Sequence, residues 1–140
     1  MAKSILTMLL VFCFATEALA GIYFFTHPDN KTSQLDKQTI KKIYLGKSRN
    51  FPNGEPATPV DLPENTDTFR TVLTEIIGKS ERKWKAYWSV KIFTGRGTPP
   101  KKMATDAEML QYVKNSPNAI GYIKSQQAPS GVNVVFTISD

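Results

Sequence analysis

Apolar and polar residues alternate along the chain in blocks that predict strands and helices in turn. Three runs rich in β-branched and aromatic residues, at 22–26, 119–124 and 132–138, predict strands. A fourth run at 58–62 contains Pro59, which limits this strand to a sheet edge or places the proline at its first position. Clusters of Pro, Gly, Asn and Asp border these runs, as is typical of turns.

Four stretches with apolar residues at helical spacing lie between the predicted strands. The clearest has apolar side chains at i, i+3, i+4, i+7 and i+8, namely Phe69, Val72, Leu73, Ile76 and Ile77. Gly78 follows at the position of a C-terminal cap. Asp36, Ser80 and Thr105 are placed to cap the other three helices, and Thr105 forms a capping box with Glu108.

The inward faces of these helices indicate where the core lies. The residues expected to face inward on the first, third and fourth helices are Ile40, Ile43 and Tyr44; Trp84, Tyr87, Trp88 and Ile92; and Ala107, Leu110 and Val113. The residues expected at the centre of the core are Phe69, Val72, Leu73, Ile76, Trp84, Trp88, Ile120 and Tyr122. Because strands and helices alternate, the sequence predicts one α/β domain with a small mixed sheet flanked by about four helices.

The first 20 residues have the pattern of a cleavable export signal. A lysine precedes an apolar run at 5–14, and Ala18 and Ala20 are the small residues that signal peptidase recognises. The run is about half of the ~20 residues that a membrane-spanning helix needs. We therefore expect a signal peptide at 1–20 and a mature periplasmic domain at 21–140, without stable membrane insertion after cleavage. The alternative is an uncleaved N-terminal anchor.

Composition narrows the chemistry of the mature domain. The only cysteine, Cys13, lies in the apolar run, so the mature domain has no thiol for a disulfide, a thiolate metal site or a nucleophile. The net charge is +6, and basic residues cluster at 41–42, 47–49, 79–85 and 101–102. In an exported protein this balance favours small anions, acidic envelope polymers or an acidic partner over nucleic acid. The simplest interpretation of each single cluster is a solvated surface.

Few residues are suited to catalysis. His27 is the sole histidine and precedes a proline in a predicted turn, and no serine-nucleophile motif of the G-x-S-x-G kind is present. His, Cys and carboxylate residues do not recur at the spacing of metal ligands. We therefore predict that the protein is not an enzyme and has neither a metal nor a cofactor.

The start of the second predicted helix is the first candidate binding site. Thr66 and Thr68 offer hydroxyl groups there beside free backbone N–H groups, where the helix dipole is positive. Arg70 can add a bidentate contact to an oxyanion. The alternative is ordinary helix capping, and the carboxylates of Glu64 and Asp67 would repel a bound anion.

A Gly-rich basic loop is the second candidate site. It consists of Gly95, Arg96, Gly97 and Thr98, and a short turn of this composition can cradle a phosphate group. The simpler interpretation is that the loop only reverses the chain between two helices.

Several short motifs occur in an order that resembles a known family. They are IYLGK at 43–47, PVD at 59–61, YW at 87–88 with FTG at 93–95, and NAIGYI at 118–123. Together they resemble the phosphate ABC transporter substrate-binding protein family, within the type II periplasmic-binding-protein fold. The likeness is to the short members of that family and implies a single lobe with its bordering hinge strands.

The resemblance implies an exported solute-binding-like protein that binds phosphate or another small oxyanion weakly, or only within an assembly. The chain departs from the family in two respects. The lobe that carries the family's first Ser/Thr-rich phosphate loop is absent, and the family's GSGT loop is matched by NTDT at 65–68, without either glycine. The alternative is a non-catalytic interaction module that docks on an envelope sensor or transport component without binding solute. A third hypothesis is an electrostatic binder of acidic envelope polymers.

A single lobe also implies that a second surface takes part in function, because one lobe leaves half of a bound solute in water. We expect self-association or an envelope protein partner, and we favour the partner. The residues that form the candidate docking face are Lys79, Arg82, Lys83 and Lys85. A solvated helix face is the alternative explanation of this basic run.

Overall fold

The computed structural model describes Cys13 and residues 19–139. The predicted signal peptide at 1–20 lies outside the described residues, apart from Cys13, Leu19 and Ala20. Across residues 19–139, every helix is too short or too polar to cross a membrane.

Five strands form one mixed sheet. They are β1 (Gly21–Thr26), β2 (Thr58–Asp61), β3 (Lys101–Lys102), β4 (Ala119–Ser125) and β5 (Asn133–Ile138). Their order across the sheet is β3-β2-β4-β1-β5. β1 pairs antiparallel with β4 and β5, whereas β2 pairs in parallel with β3 and β4. All four predicted strands are confirmed. The sequence did not predict the two-residue β3, because its two lysines have no apolar pattern.

Pro59 lies in an inner strand, so the expectation of an edge strand is wrong. The strand nevertheless has a partner on only one side at Pro59 itself. At Thr58 and Pro59, β2 pairs only with β4, and Thr58 N donates to Asn118 O at 2.8 Å. β3 begins opposite Val60. Because consecutive backbone nitrogens of a strand face opposite sides, the Pro59 nitrogen faces the side that has no partner strand at that point. The missing N–H therefore costs no ladder bond.

Four helices connect the strands. They are α1 (Lys37–Tyr44), α2 (Asp67–Val72), α3 (Glu81–Phe93) and α4 (Asp106–Lys114). The side chain that caps each helix accepts a hydrogen bond from the backbone N–H three residues further on; these caps are Asp36, Thr66, Ser80 and Thr105. The Glu108 carboxylate accepts a hydrogen bond from Ala104 N at 3.0 Å, next to the predicted capping box.

The second helix is a regular α-helix only over its first half. α2 continues as a π-helical turn, Leu73–Ile77, in which Gly78 N donates to Leu73 O, five residues back, at 2.8 Å. Gly78 then ends the helix with a φ of 71°, as predicted. The expectation of one continuous α-helix is wrong here. Apolar spacing does not distinguish an α-helical turn from a π-helical turn, because Leu73 and Ile77 are buried in the π-helical turn as well.

The centre of the core is as predicted. The eight residues expected there are all buried, namely Phe69, Val72, Leu73, Ile76, Trp84, Trp88, Ile120 and Tyr122. α4 packs on β4 and β1. A Cβ atom on Gly121 of β4 would lie 2.5 Å from Met109 Sδ and 3.1 Å from Val113 Cγ2, so a larger residue would force these side chains of α4 to shift.

Two residues expected to face inward are exposed. Ala107 is exposed because α4 turns Met109 and Val113 to the sheet, and both of these are fully buried. Ile92 is 54% exposed, since it lies one turn beyond Trp88 near the end of α3. The helices themselves were predicted correctly. The predicted inward face of α4 is rotated by part of a turn from the face that is buried.

Candidate functional site

A cavity of about 210 Å³ lies among the end of α1, the start of β2 and the loop after α3. We call it the basic pocket. The polar residues that line it are Ser48, Arg49, Lys91, Arg96, Gly97 and Thr98. Three of the four residues of the predicted Gly-rich loop are therefore among them, and Gly95 is not. Sites for drug-sized ligands usually measure about 300–1,000 Å³, so this cavity suits a small ion better.

The described residues bring only positive formal charges to the basic pocket. Arg49, Lys91 and Arg96 line it, and none of the carboxylates in residues 19–139 does. Within the part of the chain that the structure describes, the side chains of Arg49 and Arg96 make no ion pair and no hydrogen bond. Both guanidinium groups therefore keep their N–H donors available to an anion.

Lys91 is held in a fixed position at the wall of the basic pocket. Its Nζ donates to Leu45 O at 3.0 Å and lies 5.1 Å from the ring centre of Tyr87 and 5.6 Å from that of Trp88. The Tyr87 hydroxyl donates to the same carbonyl at 2.6 Å. An ammonium group has three donors, so Lys91 can hold this position and still contact a ligand.

The loop after α3 brings two residues with unpaired backbone N–H groups to the edge of the basic pocket. Arg96 N donates to Lys91 O at 2.9 Å and so completes the end of the helix. The N–H groups of Gly97 and Thr98 make no hydrogen bond with any residue in the described ranges. Unpaired backbone N–H groups beside positive side chains are the usual components of an anion-binding turn.

The wall of the basic pocket depends on Trp88 and Gly46. Gly46 has a φ of 68°, and a Cβ atom there would lie 3.2 Å from Cη2 of the Trp88 ring. Both observations require glycine at this position. Trp88 is 5% exposed, and its Nε1 is buried without a hydrogen-bond partner in residues 19–139. The sequence predicted Trp88 as a core residue; it is one, and it also lines the cavity.

At the start of α2, the predicted site residues lie on one turn, and Thr66 is used for capping. Its Oγ1 accepts a hydrogen bond from Phe69 N at 3.3 Å and donates to Pro63 O at 2.7 Å. Thr68 is half-buried one turn before Thr71 and has no hydrogen bond through its side chain to any described residue. The hydroxyl of Thr68 is thus the one that remains available there.

Arg70, the third residue of this site, is already paired with carboxylates. Its Nε donates to Glu81 Oε1 at 2.9 Å, and its Nη1 donates to Asp67 Oδ1 at 3.3 Å. An anion at this position would compete with both carboxylates and be repelled by them. Anion binding by Thr66, Thr68 and Arg70 stays a prediction, and the geometry favours the capping interpretation of this turn.

A second cavity of about 300 Å³ lies at the carboxyl ends of β2 and β3, and Trp88 lines this one as well. Both lysines of this cavity are paired, because Glu64 lies 2.8 Å from Lys102 Nζ and 3.4 Å from Lys85 Nζ. The hydrogen bond from Lys102 holds the pKa of Glu64 below its usual value. A cavity with paired charges offers an anion less than the basic pocket does.

Asp61 is a buried carboxyl group in the wall of this second cavity. It is 2% exposed, and the Tyr122 hydroxyl donates to its Oδ1. Burial raises the pKa of Asp61 to about 7, although the Tyr122 hydrogen bond and the charge of Lys102 act in the opposite direction. Burial also raises the pKa values of Tyr122 and Tyr44 well above the usual range.

Sequence reasoning missed Arg49 and Lys91 as pocket residues and Asp61 as a buried acid. Arg49 belongs to a basic cluster that looks like ordinary surface, and Lys91 lies among the polar positions of α3. Asp61 was visible only as the last residue of the PVD motif. The position of this acid between Val60 and Leu62, at the end of a predicted strand, could have indicated that it is buried.

The element order and the mixed sheet define an α/β fold that several solved structures share. A structure described as a phosphate ABC transporter substrate-binding protein with bound phosphate, from Clostridium perfringens, has this fold. Its TM-score is 0.65 at 23% identity, over 85% of this chain and 46% of that chain. These values confirm the resemblance at the level of the fold.

Two further solved structures share the fold. PstS from Borrelia burgdorferi matches with a TM-score of 0.63 and 14% identity, over 84% of this chain and 47% of that chain. An ABC-type phosphate transport receptor from Vibrio cholerae matches with a TM-score of 0.64 and 15% identity, over 84% and 46%. The chain spans about half the length of these structures. No protein-family model and no curated protein matches the sequence.

Proposed function

We propose that the domain is a solute-binding lobe that takes a small oxyanion, with phosphate as the first candidate, in the basic pocket. The observation that carries this proposal is the meeting of Arg49, Lys91 and Arg96 at one small cavity that no carboxylate lines. The fold gives independent support, since one structure that shares it is described as holding phosphate.

The chemistry of the basic pocket suits a tetrahedral anion. The guanidinium groups of Arg49 and Arg96 can each direct two parallel N–H groups at a pair of oxygen atoms, and Lys91 supplies a fixed positive charge. The unpaired N–H groups of Gly97 and Thr98 are further donors. Because the pocket opens to solvent, each contact competes with water for a net gain of about 1 kcal/mol. We therefore propose weak rather than tight binding.

Export is part of the proposal. Cleavage between Ala20 and Gly21 would leave the sheet intact, because β1 begins at Gly21 and its register with β4 starts with the pair Gly21 and Ser125. The mature domain would then act in the periplasm, where small anions and envelope proteins are its accessible partners. Protein recovered from the cell envelope should have the intact mass of residues 21–140.

Thermal unfolding of this mature protein in phosphate tests the proposal. A ligand that binds only the folded state stabilises it by RT ln(1 + [L]/Kd), so phosphate at about ten times Kd adds ~1.4 kcal/mol and raises Tm by roughly 5 °C. Arg96→Ala should remove most of this rise, because a charge-assisted contact is lost. Sodium chloride at equal ionic strength controls for general screening.

Two arginine variants give the matched comparison. Arg82→Ala removes an exposed arginine of α3 that lines none of the cavities described above, and it should keep the phosphate-dependent rise. Arg70→Ala tests the start of α2 and should also keep the rise. If Arg70→Ala removes the rise while Arg96→Ala keeps it, the anion binds at α2 and the proposed site is wrong. If no oxyanion raises Tm in the parent protein, the interaction module without solute becomes the better account.

A further inference from the structure

A shallow groove of about 510 Å³ runs along α3, next to the basic pocket. We call it the α3 groove. Its apolar surface is formed by Ala86, Tyr87 and Val90. The cations along it are Lys79, Lys83, Lys91 and Arg96, and no carboxylate lines it. Only part of the docking face predicted from the sequence lies at this groove. Lys79 and Lys83 line the groove, whereas Lys85 pairs with Glu64 at the second cavity.

Exposed apolar side chains are concentrated in the last turn of α3, where Val90 lines the groove. Apart from Leu19, the large apolar residues that are exposed in the described part of the chain are Val90, Ile92 and Phe93, at 63%, 54% and 93%. Val90 and Phe93 are three residues apart, so they are neighbours on the surface of α3. The other large apolar side chains of residues 20–139 are buried or partly buried, so a cluster of this kind marks a surface that contacts something else.

Charge and shape limit what the α3 groove can hold. A second copy of this chain would bring a net charge of +6 towards four cations, which opposes self-association through this face. An anionic bilayer is the other negatively charged surface that could meet these cations, and the crosslinking experiment below distinguishes lipid from protein. A protein segment can fill the groove with apolar side chains and answer the cations with carboxylates.

We infer that the α3 groove is the docking site for an acidic, amphipathic segment of a partner protein. The apolar side chains of this segment pack against Tyr87, Val90 and Phe93, and its carboxylates face Lys79 and Lys83. The apolar contacts contribute affinity, and the complementary charges speed the encounter and select acidic partners.

The groove and the basic pocket have two residues in common. Lys91 and Arg96 line both. An oxyanion in the pocket neutralises these cations and so weakens the attraction for the carboxylates of the partner. This coupling rests on the proposed function, whereas docking itself does not. Phosphate is therefore expected to compete with the partner rather than to act together with it.

Site-specific photo-crosslinking in intact cells of the native host tests docking. A benzophenone amino acid replaces Phe93, whose side chain is 93% exposed, and the control position is Gln111, which is exposed on α4. We expect a discrete protein adduct from position 93 and none from position 111. Peptide mapping should find the crosslink in a partner segment that combines acidic and apolar residues.

Charge reversal provides the second arm of the test. Lys79→Glu with Lys83→Glu should lower the adduct yield on the order of tenfold, because two cations of the groove become acids. Lys37→Glu with Lys114→Glu makes the same change in net charge at exposed positions outside the groove and should keep the yield. Circular dichroism confirms that each double variant folds.

Several results would overturn docking by an acidic segment. They are the absence of a protein adduct at position 93, an adduct between two copies of this chain, a crosslink to lipid, and a yield that survives reversal of Lys79 and Lys83. In washed cells, millimolar phosphate should lower the yield relative to sodium chloride at equal ionic strength. If docking is seen but phosphate leaves the yield unchanged, the coupling through Lys91 and Arg96 is wrong. Thermal unfolding in phosphate then tells separately whether the pocket binds.

Discussion

Asp61 is a carboxyl group that the fold holds almost completely out of water. Its carboxyl group is 2% exposed, and it has the Tyr122 hydroxyl as its hydrogen-bond donor and Lys102 as the nearby positive charge. Burial disfavours the charged form more than these two groups favour it, so the pKa rises from 3.8 to about 7. The stability of the domain should therefore depend on the protonation of this one side chain.

The stability difference between the parent and Asp61→Asn should change with pH. The raised pKa means that the folded state binds the proton more tightly than the unfolded chain does. The stabilisation is fully present below about pH 4 and is lost as the pH rises towards about 7. Relative to Asp61→Asn, which stays neutral, the parent should lose no more than about 4 kcal/mol over this range. Urea unfolding at a series of pH values measures the difference.

The comparison with Asp61→Asn also removes the contributions of other carboxyl groups. The pKa values of Asp36 and Glu64 are lowered in the folded state, so they stabilise above their unfolded pKa and change with pH in the opposite direction. Both groups are present in parent and variant alike. A difference in unfolding free energy that stays constant from pH 4 to pH 7 would mean that Asp61 is ionised throughout.

At the scale of the elements, the joint between α2 and its π-helical turn shows how the core tolerates an irregular helix. Leu73 begins this turn, is 3% exposed, and its carbonyl accepts from both Gly78 N and Lys79 N. The contacts between this turn and α1 join two helices that are far apart in sequence. Packing of Leu73, rather than helix propensity, is what holds the segment in place.

Leu73→Ala should therefore destabilise the domain by about 2–5 kcal/mol, because it removes buried methyl groups and leaves a cavity. The exposed neighbour Thr74 gives a matched control, since Thr74→Ala should change stability by no more than about 0.5 kcal/mol. Equilibrium urea unfolding measures both. Equal midpoints for Leu73→Ala and the parent would mean that this face of the helix is not packed as described.

The elements were predictable where the signal is local. The cap of Asp36, the glycine end at Gly78 and the strand at β4 each follow from residues that are close in sequence. The π-helical turn and the exposure of Ala107 were not predictable, because both depend on packing against other elements. The choice between Ala107 and Met109 depends on the space that Gly121 leaves on β4.

The same limit applies to the candidate site. The Gly-rich loop was identified from its composition, and three of its residues line the basic pocket. Arg49 and Lys91 reach this pocket from other parts of the chain, and no local pattern predicts that meeting. At the start of α2, the sequence shows the threonines and the arginine that an anion site needs. It does not show that Arg70 pairs with Glu81, because this contact depends on how α3 packs beside α2.

At the scale of the whole molecule, the chain spans about half the length of the structures that share its fold. A binding site on one lobe stays open to solvent, which limits the affinity for a small anion. The net charge of +6 draws anions to the molecule in general, so selective binding has to be shown at particular residues. Our proposal therefore concerns location: we propose that the oxyanion binds in the basic pocket.

A phosphate titration followed by the backbone amide chemical shifts tests this claim most directly. If phosphate binds in the basic pocket, the amide shifts should saturate and be largest at Arg49, Gly97 and Thr98. They should be absent in sodium chloride at equal ionic strength. The amides of residues 66–70, at the start of α2, should change little. Largest shifts at residues 66–70, or changes throughout the chain that never saturate, would contradict an anion site in the basic pocket.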